Sequence, residues 1–234
     1  MPVFQVNAAW AAMTEIIPNL YICGVSALKQ SSILALNFDL VVNCTKEVPN
    51  MNSLPPDVER LKLWLDDTEE TDLASSLDMA VDYIRMILEV DGRVLVHCVA
   101  GVSRSAAVCL AYLVKYESMT LRQAYEHMAA RRARVRPNLG FWRQLIEFEM
   151  ELRGEKSVVI KKCLGDQELP DVYEGVVESQ LDLIPPQPFA KENELSPSYC
   201  QSKKEERKRQ RQLSDTENGK RFVPKLEPVI EVEQ

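Results

Sequence analysis

The stretch Val94-Leu-Val-His-Cys-Val-Ala-Gly-Val-Ser-Arg-Ser105 constrains this chain more than any other. It opens as an apolar, β-branched run of the kind that forms a buried strand. It closes in Ser105-Ala-Ala-Val-Cys-Leu-Ala-Tyr-Leu113, which reads as a buried helix. A strand, a tight loop and a helix N-terminus together make an anion site. Backbone N–H groups point into the loop, and the helix dipole favours negative charge. Here the loop carries Cys98 at one end and Arg104 at the other, a nucleophile and a phosphate clamp. In a chain with 2 His, 6 Cys and 15 Arg, random placement yields about 0.003 matches to His-Cys-x5-Arg.

The chemistry of such a loop follows from its residue types. Thiolate, not thiol, is the nucleophile, and the helix N-terminus, the inward N–H groups and Arg104 all favour it. The planar guanidinium matches two oxygens of a phosphate monoester. Val99, Ala100, Gly101, Val102 and Ser103 line the cradle with Arg104, and Gly101 allows the tight turn. The leaving oxygen needs a proton, and a carboxylic acid on a second loop is the simplest source. Asp66 and Asp67 follow an alternating Leu61-Lys-Leu-Trp-Leu65 run, at the end of a neighbouring strand. Ser105 is placed to hydrogen-bond the sulfur and help it leave.

The surroundings support one α/β domain with a mainly parallel central sheet flanked by helices. Strands are expected at residues 16–24, 39–44, 61–65 and from Val94. Helices are expected from Ser26 to Leu36, after Asp72, from Ser105, after Thr120 (a capping-box sequence with Gln123) and around Phe141 and Trp142. In such sheets ligands bind beyond the carboxyl ends of strands, where both loops fall. The expected organisation is a leader at residues 1–12, a catalytic domain at 13–153, a packed extension at 154–184 and a disordered charged tail at 185–234.

Composition removes other classes. A net charge of −7 gives no footing for nucleic-acid binding, and no apolar run is long enough to span a membrane. Six cysteines without a C-x-x-C pair, three of them in apolar runs, suggest reduced thiols and an intracellular protein. Only His97 and His127 are available as imidazole ligands, so no metal site and no cofactor are expected. His97 reads as support behind the loop and His127 as structural. Arg131, Arg132, Arg134 and Arg136 form a basic cluster, either a solvated helix end or a site attracting acidic peptides. The run at residues 203–211 is a candidate nuclear-import signal interrupted by two glutamates.

His97-Cys-Val-Ala-Gly-Val-Ser-Arg-Ser105 resembles the signature of the cysteine-dependent protein phosphatases in its dual-specificity form. Ile17-Pro-Asn-Leu-Tyr21, Val42-Asn-Cys44, Asp67-Thr68 and Arg136-Pro-Asn-Leu-Gly-Phe-Trp142 extend the likeness across residues 13–152. Leu169-Pro-Asp-Val-Tyr173 carries it further, toward the small atypical subgroup around dual-specificity phosphatases 14, 18 and 21. The resemblance implies the cysteine-phosphatase fold and hydrolysis of phosphotyrosine and of phosphoserine or phosphothreonine through a cysteinyl-phosphate. It also implies that Asp67 rather than Asp66 is the general acid and that Asn138 steadies the phosphate loop. Phosphorylated proteins, MAP kinases or other signalling proteins among them, are the implied substrates; the cysteine usage points to the cytoplasm, and the basic run at 203–211 adds the nucleus. No counterpart of a kinase-docking domain is seen, and the oligomeric state is not set by these residues. Two other functions compete: a phosphate-binding scaffold with little turnover, and a phosphoinositide or RNA phosphatase. Asp67 and Ser105 argue against the first, and the uncharged loop interior argues against the second.

Overall fold

The computed structural model describes residues 11–51, 54–162 and 168–174. The expected leader as far as residue 10, the charged tail and its basic run at 203–211 lie outside the described residues. The first strands are β1 (Thr14–Ile17) and β2 (Leu20–Gly24). Helix α1 (Gln30–Leu36) leads to β3 (Leu40–Asn43) and β4 (Glu59–Lys62). Helix α2 (Ala74–Glu89) precedes β5 (Val94–Cys98), followed by α3 (Arg104–Tyr116), α4 (Leu121–Arg131) and α5 (Leu139–Arg153). Strands β6 (Ile160–Lys162) and β7 (Glu168–Pro170) form a separate antiparallel pair.

The main sheet runs β1-β2-β5-β3-β4, with only the β1–β2 pair antiparallel. Strand β5 is central, paired to β2 and β3, and all five of its residues are buried. A strand covered on both faces needs no polar alternation, which explains its apolar sequence. Its side chains still alternate. Val94, Val96 and Cys98 face the core beneath α2–α5, and Leu95 faces a second core with Tyr21, Phe38 and Val41. Helix α3 is buried at every residue from Arg104 to Val114, so the loop at residues 98–104 joins a fully buried strand to a helix buried over most of its length.

Three local expectations are corrected. The single strand at 16–24 is two, because Pro18 cannot donate to a ladder and Asn19 turns the chain at φ 70°. The helix from Ser26 instead begins at Gln30, after a 3-10 turn at Val25–Ala27. The Val25 N–H is committed to the Val99 carbonyl at 2.9 Å, which holds that segment against the loop. The strand at 61–65 lies earlier, at Glu59–Lys62, because its partner β3 ends at Asn43. The alternation persists beyond the ladder: Leu63 and Leu65 are buried and Trp64 is exposed.

The expected cap of α4 is present, whereas the N-cap positions of α1 and α2 fall at Lys29 and Leu73 and not at Ser26 and Asp72. Thr120 and Gln123 form a reciprocal capping box on α4, and Asp72 accepts from Ser75 N at 3.1 Å at the start of α2. The segment after α5 packs through buried Val158. The Trp142 indole also donates to the Tyr173 hydroxyl at 2.7 Å. Among the described residues no helix is long and apolar enough to cross a membrane.

Candidate active site

Strand β5 delivers Cys98 to the carboxyl edge of the sheet, and the chain then turns through Gly101 at φ 70° into α3. A Cβ at Gly101 would lie 2.7 Å from the Cys23 backbone carbonyl carbon, so only glycine permits this close turn. Two donors converge on the Cys98 sulfur, the Gly101 N–H and the Ser105 hydroxyl, each at 3.2 Å. Ser105 is wholly buried. Burial disfavours the thiolate at the neighbouring cysteines, pushing Cys23 up to about 12 and Cys44 well above its ordinary value. All four described cysteines are free.

Arg104 opens α3 and is nearly enclosed, yet its guanidinium is only half engaged. Nη1 donates to both Glu47 carboxylate oxygens at 2.7 and 2.8 Å and to the Leu65 carbonyl at 3.1 Å. The buried Nε makes no hydrogen bond and lies 3.7 Å from Asp67 Oδ2. One edge of the fork is therefore anchored to protein. Nε, on the other edge, is left for a tetrahedral anion, the edge-on geometry that arginine offers to phosphate. Glu47 was not among the residues anticipated from sequence. Its loop follows β3 at the same carboxyl edge as Cys98, but nothing local says whether Lys46 or Glu47 turns inward. Lys46 turns out, to Asp66 at 3.1 Å.

The two aspartates separate cleanly. Asp66 is exposed and pairs with Lys46. Asp67 is drawn to the cradle, where Oδ1 accepts from the Ser103 hydroxyl at 2.6 Å and from Asn138 Nδ2 at 2.9 Å. Asn138 touches the phosphate loop through its backbone, whose N–H donates to Ser103 Oγ at 3.1 Å. Its side chain holds the Asp67 loop and, through Oδ1, caps α5. The asparagine thus joins the two loops instead of serving one.

The basic cluster does not form an open funnel. Arg132 is buried, with Nε donating to Gly101 O at 2.7 Å, Nη2 to Ala100 O at 3.2 Å and Nη1 to Ala12 O at 2.6 Å. It pins two successive loop carbonyls away from the cradle, so that the intervening N–H groups face inward. Arg131 turns back to His127 on its own helix, and Arg136 lies over the Tyr173 ring at 5.4 Å. For Arg132 neither reading holds, since a buried guanidinium bound to loop carbonyls is neither a solvated helix end nor a surface for acidic peptides. A row of four arginines carries no mark of which one is buried.

His97 sits behind the cradle, 2% exposed, with no hydrogen-bond partner at Nδ1. Burial pushes its imidazole down from 6.5 to about 4, opposed by a backbone hydrogen bond at Cys98. The unfolded chain therefore binds a proton between pH 6.5 and 4 that the folded protein excludes. The contribution of His97 to stability is fully present above pH 6.5 and is lost as pH drops toward 4, by about 3 kcal/mol. His97→Asn is expected to flatten the decline of Tm across this window; an unchanged slope would assign the acid sensitivity elsewhere. His127 ties α4 to β1 through Ile16 O at 2.8 Å. Among the described residues no group of three or more His, Cys, Asp or Glu is arranged to hold a metal ion.

Comparison with known proteins agrees with this geometry. Residues 20–151 match the family model "Dual specificity phosphatase, catalytic domain". Dual specificity protein phosphatase 14 of Mus musculus is 40% identical over 164 residues, covering 69% of this chain and 81% of the relative. Dual specificity protein phosphatase 18 of Homo sapiens is 36% identical over 175 residues, covering 74% and 91%. The crystal structure of a mouse putative dual specificity phosphatase superposes with a TM-score of 0.58 at 30% identity, covering 64% of this chain and 94% of that one. A cysteine and an arginine bracketing an anion cradle, on this fold and among these relatives, make the chain a protein phosphatase of the dual specificity family, in the subgroup around phosphatases 14, 18 and 21.

Proposed function

We propose that Cys98 is the nucleophile, Arg104 the phosphate clamp, Asp67 the general acid and base, and Ser105 the stabiliser of the departing sulfur. The loop N–H groups of Val99 to Arg104 bind the phosphoryl oxygens, and His97 and Asn138 support them. The Cys98 thiolate attacks phosphorus and the ester P–O bond breaks. Asp67 gives its proton to the leaving seryl, threonyl or tyrosyl oxygen. Water then attacks the cysteinyl-phosphate, passes a proton to the Asp67 carboxylate, and the S–P bond breaks. Inorganic phosphate and the free thiolate result. The Ser105 hydroxyl, 3.2 Å from Sγ, stabilises the sulfur as it leaves. No step calls for a metal, because the backbone N–H groups and Arg104 supply the positive charge.

The observation that carries this reading is the ion pair of Asp67 Oδ2 with Arg104 Nε at 3.7 Å, where Nε makes no hydrogen bond, beside a sulfur that accepts two hydrogen bonds. Asp67→Asn is expected to lower kcat on phenyl phosphate by about 100-fold, the scale of general acid catalysis, and far less on p-nitrophenyl phosphate. The second leaving group departs without protonation. Asp66→Ala should leave both rates within about twofold, consistent with a solvated pair. The reverse ranking of the two aspartates in steady-state kinetics would reassign the acid.

The proposed substrates are phosphorylated signalling proteins, MAP kinases among them, met in the cytoplasm and nucleus. Free thiols at all four described cysteines fit a reducing compartment. The uncharged residues Val99, Ala100 and Val102 fit a monoester on a side chain better than a polyanionic lipid headgroup.

A further inference from the structure

Resting on Asp67 as the general acid, we propose that α5 is a template for the acid loop and that Gln144 is the positioning residue that latches it. Residues 67–74 run from Asp67 to the first residue of α2, and this chain is held by one face of the first two turns of α5. Asn138 Nδ2 donates to Asp67 Oδ1 and to the Thr68 carbonyl at 3.2 Å. Glu69 lies against Gly140 so closely that a Cβ there would fall 2.0 Å from the Glu69 carbonyl oxygen. Arg143 Nη1 reaches the Glu69 carboxylate at 3.1 Å. Gln144 then uses both ends of its amide. Nε2 donates to the Thr71 carbonyl at 2.8 Å, and Oε1 accepts from Leu73 N at 2.8 Å and Ala74 N at 2.9 Å.

Positions 140, 143 and 144 share one helical face, with the cap at 138 just ahead of it. They meet the loop in order, Gly140 and Arg143 at Glu69 and Gln144 at Thr71, Leu73 and Ala74, so the loop follows the helix surface. The amide orientation of Gln144 is decided by its surroundings, with two N–H groups on one side and carbonyls on the other. It terminates the loop from both directions. On one side it satisfies the orphan N–H groups that open α2. On the other it fixes the peptide of Thr71, four residues after the acid. The acid loop is thereby seated on α5, and the aim of Asp67 is set by that helix.

A purely structural role would be that of a helix cap for α2, and Gln144→Glu separates the two. A carboxylate keeps both acceptor bonds and gains from the α2 dipole, but it cannot donate to Thr71 O. The variant is expected to keep Tm within about 2 °C. It should lose about 10-fold in kcat on phenyl phosphate, with KM unchanged and less than about twofold change on p-nitrophenyl phosphate. Gly140→Ala, which pushes on Glu69 from the same face, should show the same leaving-group bias. In an Asp67→Asn background Gln144→Glu should add nothing further. Wild-type turnover of phenyl phosphate by both variants, or equal loss on the two substrates, would overturn the latch. If Asp67→Asn is leaving-group dependent and Gln144→Glu is not, only the latch fails. If Asp67→Asn itself shows no such dependence, the acid assignment fails and the latch with it.

Discussion

Cys98→Ser is expected to abolish turnover of every phosphate ester, by at least about 10⁴-fold in kcat, the scale seen when an attacking group is removed. The reason is local and specific. The Gly101 N–H and Ser105 hydroxyl both point at the atom in position 98, an arrangement that favours a large, polarisable anion. A serine hydroxyl there is far harder to ionise than a thiol, and the imidazole behind it is a weak base, since burial pushes His97 down to about 4 and its Nδ1 faces no partner. Binding should survive, because the loop N–H groups and Arg104 are untouched. Phosphopeptide affinity measured by calorimetry should stay within about threefold of the wild type. The same variant therefore serves as a trap for substrates in lysate. Residual turnover above about 1% of wild type would contradict attack by Cys98.

The next largest effect is expected at Arg104. Its Nη1 is already spent on Glu47 and Leu65, and its buried Nε makes no hydrogen bond and lies 3.7 Å from Asp67 Oδ2. Lysine has one ammonium where arginine has two edges, so it can pair with Glu47 or meet phosphate but not both. Arg104→Lys is expected to lower kcat/KM by about 10³-fold, or about 4 kcal/mol of transition-state stabilisation. Inhibition by vanadate should weaken in parallel, because that ligand uses the same fork. A variant within about 10-fold of wild type in both measurements would mean that the loop N–H groups alone hold the anion.

The placing of Cys98, Arg104 and Ser105 in one strand-to-helix loop was legible without coordinates because these residues are close in the chain. Cys98, Gly101, Arg104 and Ser105 lie within eight residues, and a strand running into a helix leaves that loop little freedom. Helix faces were legible for a similar reason: Leu77, Ala80, Val81, Ile84 and Ile87 recur at helical spacing, and all are buried. Strand limits were less so. Leu63 and Leu65 alternate correctly with Trp64, yet the ladder stops at Lys62 because β3 has already ended. Alternation reports which side chains are enclosed; pairing depends on a partner some 20 residues away.

Covalent spacing and residue chemistry by themselves determined that this chain builds an anion cradle around a thiol, and on which strand–helix junction. Tertiary structure decided the rest of the site. Only the fold could select Arg132 from a row of arginines to hold the loop carbonyls, or turn Glu47 rather than Lys46 toward Arg104. Only the fold could bring Ser103 and Asn138 onto Asp67, across 36 and 71 residues of sequence. These are hydrogen bonds between groups whose proximity is paid for by the burial of a whole core, and no local pattern records which of several like residues that core will enclose.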